Sequence, residues 1–463
     1  MLLHPDRLFP ADPATRAIAR DLYRTVEHLP IVSPHGHTDP RWWGENPAFA
    51  NPAELFVIPD HYVVRMLVSQ GVPYEALGIG ENAESDPRVI WRTFARHYHL
   101  FRGTPSRLWL DHAFSEVFGL DERLCEDNAE HHYDVIAERL ADPAYRPRAL
   151  FDRFGIEVIA TTDGALDDLA HHQAVRASGW QGRIVPTYRP DGVVDPDTDG
   201  FRRNVEQLGM LTGCDIGTWE GYLAAHRARR DFFRSMGATA TDHGHPTPRT
   251  ADLGQAEAHA LYQRVLKGAL TRGDAELFRA QMLTEMARMS VEDGLVMQLH
   301  AGSMRSHNAG VLKRYGRDRG FDIPVATNFT EALQPLLNAV GMDPRLTLIL
   351  FTLDESVYAR ELAPLAGVYP SLRLGPPWWF HDSFEGIRRY REATTETAGF
   401  FNTAGFNDDT RALCSIPARH DVSRRADCAY LAELVTSHRL DEAEAHELSP
   451  LLAGELARRA YRL

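Results

Sequence analysis

The chain has 463 residues, 44% hydrophobic and 25% charged, with a formal net charge of -14. That mixture is ordinary for a soluble globular protein, and the negative balance argues against nucleic acid or an anionic membrane as the main partner. No uninterrupted apolar run reaches the ~18 residues of a membrane span, and the opening MLLHPDRLFP lacks the basic-then-apolar order of a secretory signal.

The length fits either one elaborated (β/α)8 barrel or several separate domains. The four cysteines, Cys125, Cys214, Cys414 and Cys428, form no CxxC pair and no dense framework, so a reduced, cytoplasmic setting is expected. Of 50 basic residues only Lys267 and Lys313 are lysine, both in helix-like stretches. Schiff-base chemistry therefore has almost no candidate.

In chain order, the first short apolar run is IVSPHGH (31–37), then IEVIATTD (156–163) and RIVPTYR (183–189). GATATDHG (237–244), LVMQLHAG (295–302) and LTLILFTL (346–353) follow, then SLRLGPPWW (371–379) and FFNTAGFNDD (400–409). Near-continuous apolar runs suit parallel strands buried on both faces. Most of the segments between them carry apolar residues at helical spacing, as in AELFRAQMLTEMARMSVEDG and FTEALQPLLNAVGM. Eight strands alternating with helices predict an α/β fold, a TIM-like (β/α)8 barrel spanning 1–463.

One interval departs from a plain barrel. Residues 45–152 offer no strand, only amphipathic, aromatic-rich segments such as RVIWRTFARHYHLF. They read as a helical insertion after the first strand, capping the mouth, and 421–463 reads as closing helices.

Barrel chemistry gathers at the C-terminal strand ends. The first strand delivers His35 and His37; residues at i and i+2 of a strand share a face, where two imidazoles can hold one ion. The second ends at Asp163, which reads as a helix N-cap. The third ends at Arg189, the fourth at Asp242 and His243, and the fifth at His300 with Arg305 close behind. The sixth supplies only Thr352, Asp354 and Glu355, while the seventh leads into Trp378, Trp379 and His381. The eighth leads into Asp408, Asp409 and Arg411. His35, His37 and Asp409 form the natural metal set, with His300 as an optional further ligand. Imidazole and carboxylate suit zinc, and also manganese or another divalent ion.

HxH after the first strand and Asp after the eighth resemble the amidohydrolase superfamily. The stretches HGHTDP, DHYVVRML, TTDGALDDLAHH, VPTYRPD, TDHG, QLHAGSMRSHN, PPWWFHD and DDTRALCSIPARHDVSRR resemble its uronate isomerase (glucuronate isomerase) branch in particular. The resemblance implies aldose–ketose isomerisation of a hexuronate through a cis-enediol: D-glucuronate to D-fructuronate, D-galacturonate to D-tagaturonate. It implies a site of one divalent metal on His35, His37 and Asp409. Arg189 and Arg411 would hold the substrate carboxylate with His61 nearby, and Tyr62, Asp242, His300, Arg305, Trp378 and Trp379 would line the sugar. Asp409, Tyr62 and His300 are the expected acid–base groups. A soluble homo-oligomer is expected. A metal-dependent hydrolase acting on a sugar-acid derivative, or a non-catalytic sugar-acid binder, would use much of the same residue set. The loop TDHGHPTPRT, with its extra His245, and the phrase SIPARHD are looser than the branch's pattern.

Overall fold

The computed structural model describes residues 2–463. Seven barrel strands form ladders: Ile31–Ser33, Ile156–Ala160, Arg183–Val185, Ala240–His245, Val296–Ala301, Leu348–Thr352 and Leu372–Leu374. All neighbours among them pair in parallel, with the register Ala240↔Val296 and His245↔Ala301 between the fourth and fifth, and Leu348↔Met297 between the fifth and sixth. The second and third strands are each interrupted and resume, as Asp163–Gly164 beside Tyr188–Arg189. These resumed pieces connect the third strand to the fourth through Tyr188↔Thr241.

The eighth run barely forms a strand. It is reduced to one parallel bridge, Leu374↔Thr403, extended by the Ala404 amide donating to the Leu374 carbonyl at 2.8 Å. Its sequence, NTAGFNDD, is rich in the glycine, asparagine and aspartate that ladders disfavour, and Gly405 sits at φ +70°. The His37 amide reaches the Thr410 carbonyl at 3.0 Å, bringing the end of this run against the loop after the first strand.

Between the first and second strands the chain is helical, and the helix starts are written in its proline dipeptides. DPRWW, NPAELF, DPRVIW and TPSRLW each begin a helix: the Asp, Asn or Thr caps the free amides and proline occupies the first turn. Another helix, His61–Ser69, is capped by Asp60, whose carboxylate accepts from the Tyr62 and Val63 amides at 2.8 and 3.2 Å. Trp43, Phe56, Trp91, Phe94 and Phe114 pack into one buried cluster that reaches Ile31 and Ile156 of the barrel.

After the fifth strand the chain leaves the barrel again. Ser303–Met304 pairs antiparallel with Ile323–Pro324 around a short helix, Ala309–Tyr315. The antiparallel pair has no counterpart in the sequence reading, because two-residue strands give no periodicity. The excursion is fastened to the helical insertion: Arg314 and Tyr315 both donate to Glu75, and Tyr74 donates to the Arg319 carbonyl at 2.7 Å.

Asp163 is not a helix cap. It lies in strand geometry, buried, accepting from Thr161 Oγ1 at 2.7 Å, and burial pushes it up to about 7. The following helix begins at Ala170, with the free amides of Leu169 and Ala170 satisfied by Asp167 and Asp168.

The chain closes with helices Ile416–Thr436, Glu442–Pro450 and Leu456–Tyr461. The first packs on the N-terminal helix Pro13–Val26. Arg424, buried between them, donates to the carbonyls of Glu27, Leu29 and Pro30 at 3.0, 2.8 and 3.2 Å, immediately ahead of the first strand. No helix among the described residues is long and apolar enough to cross a membrane.

Candidate active site

The polar strand ends meet in one cleft. It is lined by His35, His37, His61, Tyr62, Arg189, Asp242, His300, Arg305, Trp378, Trp379, Asp409 and Arg411. Every residue that the family resemblance assigns to the site therefore faces the same space. His61 and Tyr62 come from the helical insertion, Arg189, Asp242 and His300 from the strands themselves, and the others from the loops that follow strands.

The paired histidines reach it differently from expectation. The first strand ends at Ser33, so His35 and His37 stand on the loop beyond it rather than on a ladder. Their rings nevertheless lie 5.2 Å apart and nearly perpendicular. His35 Nε2 is 3.4 Å and His37 Nε2 3.2 Å from Asp409 Oδ1. Tetrahedral ligands at roughly 2.0–2.1 Å from one ion lie roughly 3.3 Å apart, so these separations fit a first-row divalent metal. The three donor atoms lie within 4.8 Å of one another, as do those of His35, Asp242 and His300.

Asp409 is held in the left-handed backbone region, at φ +37°. A non-glycine residue there is uncommon and carries a conformational cost. Burial opposes its charge, yet the two imidazoles hold its carboxyl well below the usual range, and it is ionised.

His300 is oriented by the fourth strand. Its Nδ1 lies 2.6 Å from Asp242 Oδ1, which fixes the ring and leaves Nε2 buried and without a partner. The ring stacks on His35 at 4.6 Å and on Phe351 at 4.0 Å, with Trp378 edge-on at 4.8 Å. A carboxylate behind an imidazole is the arrangement that metal-binding and acid–base histidines share. Burial pulls the His300 pKa below its ordinary value.

The two arginines differ. Arg189 Nε donates to Asp191 Oδ2 at 2.7 Å, and its NH1 lies 3.0 Å from Asp242 Oδ2. It threads past Gly244, where an added Cβ would come 2.0 Å from its NH2. Two carboxylates thus already occupy Arg189. Arg411 faces a single carboxylate, Asp318, at 3.7 Å. His61 is pushed down to about 3 by burial and by the Arg411 charge, so it is neutral and offers a hydrogen bond, not a cation. Trp379 packs edge-on to His61 at 4.7 Å, and the Arg305 guanidinium lies 5.7 Å over it.

The cleft holds further polar residues that the strand-end reasoning passed over: Asp60, Asp318, Asp382, Asn407 and Arg419. Asp408 also faces the cleft; its Oδ1 is buried without a partner and its Oδ2 lies 3.1 Å from His420 Nε2. Their signal was weak, because Asp318 sits on the excursion after the fifth strand and Arg419 on the closing helix. His381 lies outside the cleft, buried, with Nε2 3.0 Å from the Tyr358 hydroxyl. His243 and His245 are buried too but do not line it.

The family model described as glucuronate isomerase matches residues 13–453. A uronate isomerase of Rhizorhabdus wittichii is 64% identical, with 100% of this chain aligned to 98% of its own. The crystal structure of glucuronate isomerase from Caulobacter crescentus superposes with a TM-score of 0.98 at 56% identity, over 99% of this chain and 97% of that one. A uronate isomerase structure from Thermotoga maritima gives 0.93 at 27% identity, covering 100% of both chains.

Proposed function

Because the chain belongs to the glucuronate isomerase family, we propose that its cleft is the seat of uronate isomerisation, with D-glucuronate and D-galacturonate as substrates. The observation that supports this most directly is the meeting of His35, His37 and Asp409 with Arg411 in one cleft. A metal site alone suits many reactions; a guanidinium facing only one carboxylate beside it suits an acidic sugar.

Zinc is the expected ion, held by His35, His37 and Asp409. When bound it supplies Lewis-acid charge that stabilises developing negative charge on sugar oxygens. The chain's own groups do the rest. Arg411 anchors the substrate carboxylate, with neutral His61 donating alongside. Arg189, already neutralised by Asp191 and Asp242, contributes position more than charge. Asp409 takes the anomeric hydroxyl proton as the C1–O5 bond breaks and gives it to the ring oxygen, opening the sugar to its aldehyde. Tyr62 handles the proton that leaves C2 and returns to C1, through a cis-enediol. His300 Nε2, free and backed by Asp242, serves the oxygens at C1 and C2. Trp378 and Trp379 close the wall and exclude water.

The test is to load the purified protein with zinc, add each hexuronate, and follow ketose formation by proton NMR. Fructuronate or tagaturonate is expected; no ketose from either sugar would overturn the assignment. Arg411→Met is expected to raise KM by roughly 10- to 150-fold, the 1.5–3 kcal/mol of a hydrogen bond to a charged group, and to leave kcat nearly unchanged. Initial rates across substrate concentration read this split, and an unaltered KM would place the carboxylate elsewhere.

A further inference from the structure

Tyr62 does not end in solvent. Its hydroxyl donates to Asp382 Oδ2 at 2.8 Å, and the Arg419 guanidinium holds the same oxygen at 2.7 Å. Arg419 is itself fixed, 3.6 Å over the Trp109 ring and 3.2 Å from the Asp408 carbonyl. The other carboxylate oxygen, Asp382 Oδ1, is buried, has no hydrogen-bond partner, and belongs to a residue lining the cleft. The roles proposed for Asp409, Tyr62, His300 and the arginines leave this carboxylate without a task.

We propose that Asp382 is the second member of a proton relay: it takes the Tyr62 hydroxyl proton as Tyr62 receives the proton leaving C2 of the sugar. This rests on the reading of Tyr62 as the group that handles that proton.

The chemistry balances without any further reactant. The C2–H bond breaks, its electron pair becomes the C1–C2 double bond, and the C1 carbonyl π electrons move to O1. The C2 proton goes to Tyr62 Oη, and the proton already on Oη goes to Asp382 Oδ2. On return, Asp382 gives its proton back to Tyr62, and Tyr62 delivers one to C1. The O2–H pair then forms the C2 carbonyl as its proton passes to O1. C2 is oxidised from alcohol to ketone and C1 is reduced from aldehyde to alcohol, and the two changes cancel within the sugar, so no external oxidant or reductant is needed.

The electrostatics requires such a partner. Burial, and then the Asp382 carboxylate beside it, holds Tyr62 well above the ordinary phenol range. A standing phenolate is therefore not available at neutral pH. Tyr62 can accept a proton only by giving one away in the same motion, and Asp382 is the acceptor in contact with it. Arg419 keeps that acceptor aimed at the hydroxyl.

The experiment compares Asp382→Asn, Tyr62→Phe and the double variant. Asparagine keeps the shape and can still accept from the tyrosine, but it cannot take up a proton. Turnover of Asp382→Asn is expected to fall by about 10²-fold, the low end for a positioned acid–base group, with KM unchanged. The isotope effect on 2-deuterated glucuronate is expected to rise as proton abstraction becomes rate-limiting. Because the two groups act as a unit, the double variant should be no slower than Tyr62→Phe alone. A carboxylate that only props up the fold would lower melting temperature and both kinetic parameters without moving the isotope effect. Normal Asp382→Asn turnover beside an impaired Tyr62→Phe overturns the relay and leaves the Tyr62 role standing; normal turnover in both removes Tyr62 as well. Should Asp382→Asn fail to fold, the unmodified enzyme still decides. Turnover of 2-deuterated substrate should slow further in heavy water, since a hydroxyl proton moves in the same step, and no slowing overturns the proposal.

Discussion

Asp409→Asn is expected to cut turnover by at least the roughly 10²–10⁴-fold associated with one positioned acid–base group. Protein-bound zinc, measured on the purified variant, is expected to fall with it. Two properties of the residue converge here. Its Oδ1 lies within 3.4 Å of both imidazoles, so the amide that replaces it removes an anionic ligand. Its carboxylate is also the group assigned to ring opening, and an amide accepts no proton at neutral pH. The substitution is a fair one because of the backbone: Asp409 stands at φ +37°, and asparagine is the side chain best suited to that region after glycine. The fold should therefore survive, and a melting curve close to the parent's checks it. Full metal content with lost turnover would assign Asp409 to proton transfer alone. Parent-like turnover would remove it from the mechanism altogether.

Tyr62→Phe is expected to lower turnover by roughly 10²–10⁴-fold while zinc content and KM stay near the parent values. The ring makes its packing contacts without the hydroxyl: Trp109 lies edge-on at 5.5 Å and His61 stacks at 5.0 Å. Phenylalanine keeps both and deletes only the oxygen that faces Asp382. The Arg419–Asp382 ion pair at 2.7 Å remains intact, so the variant does not leave a buried charge unpaired. Steady-state kinetics together with single-turnover rates separate loss of chemistry from slow product release. A turnover within a few-fold of the parent would exclude Tyr62 from proton transfer.

The strand ends were the most legible part of this protein. Apolar runs such as LVMQLHAG and LTLILFTL announce buried parallel strands, and the residue that ends each one faces the mouth by geometry alone. That is why Asp242 and His300 could be named as cleft candidates from their places at the ends of the fourth and fifth runs. The eighth run was legible as a position but not as a ladder, since its Gly405 and its asparagines favour turns over pairing. The histidine pair was found by a strand argument that does not hold, because the ladder stops at Ser33 and an extended loop carries both rings inward.

What escaped the sequence reading is what depends on excursions meeting. Asp318 faces Arg411 only because the segment after the fifth strand is tied down on Glu75 of the insertion. Asp382 and Arg419 are brought to Tyr62 from segments far apart in the chain. The dividing of labour between the arginines was also hidden: the Asp191 that occupies Arg189 sits two residues away in PTYRPD, where it reads as an ordinary turn residue.

The Arg424 clamp carries a consequence for how the protein is made. The first strand and the histidines after it leave the ribosome well before the side chain that grips Glu27, Leu29 and Pro30, which follows Asp409 in the chain. A chain released before Asp409 has His35 and His37 but neither their carboxylate nor the brace behind them. Interrupted synthesis therefore yields polypeptide with no working centre, and a metal ion added afterwards cannot restore one.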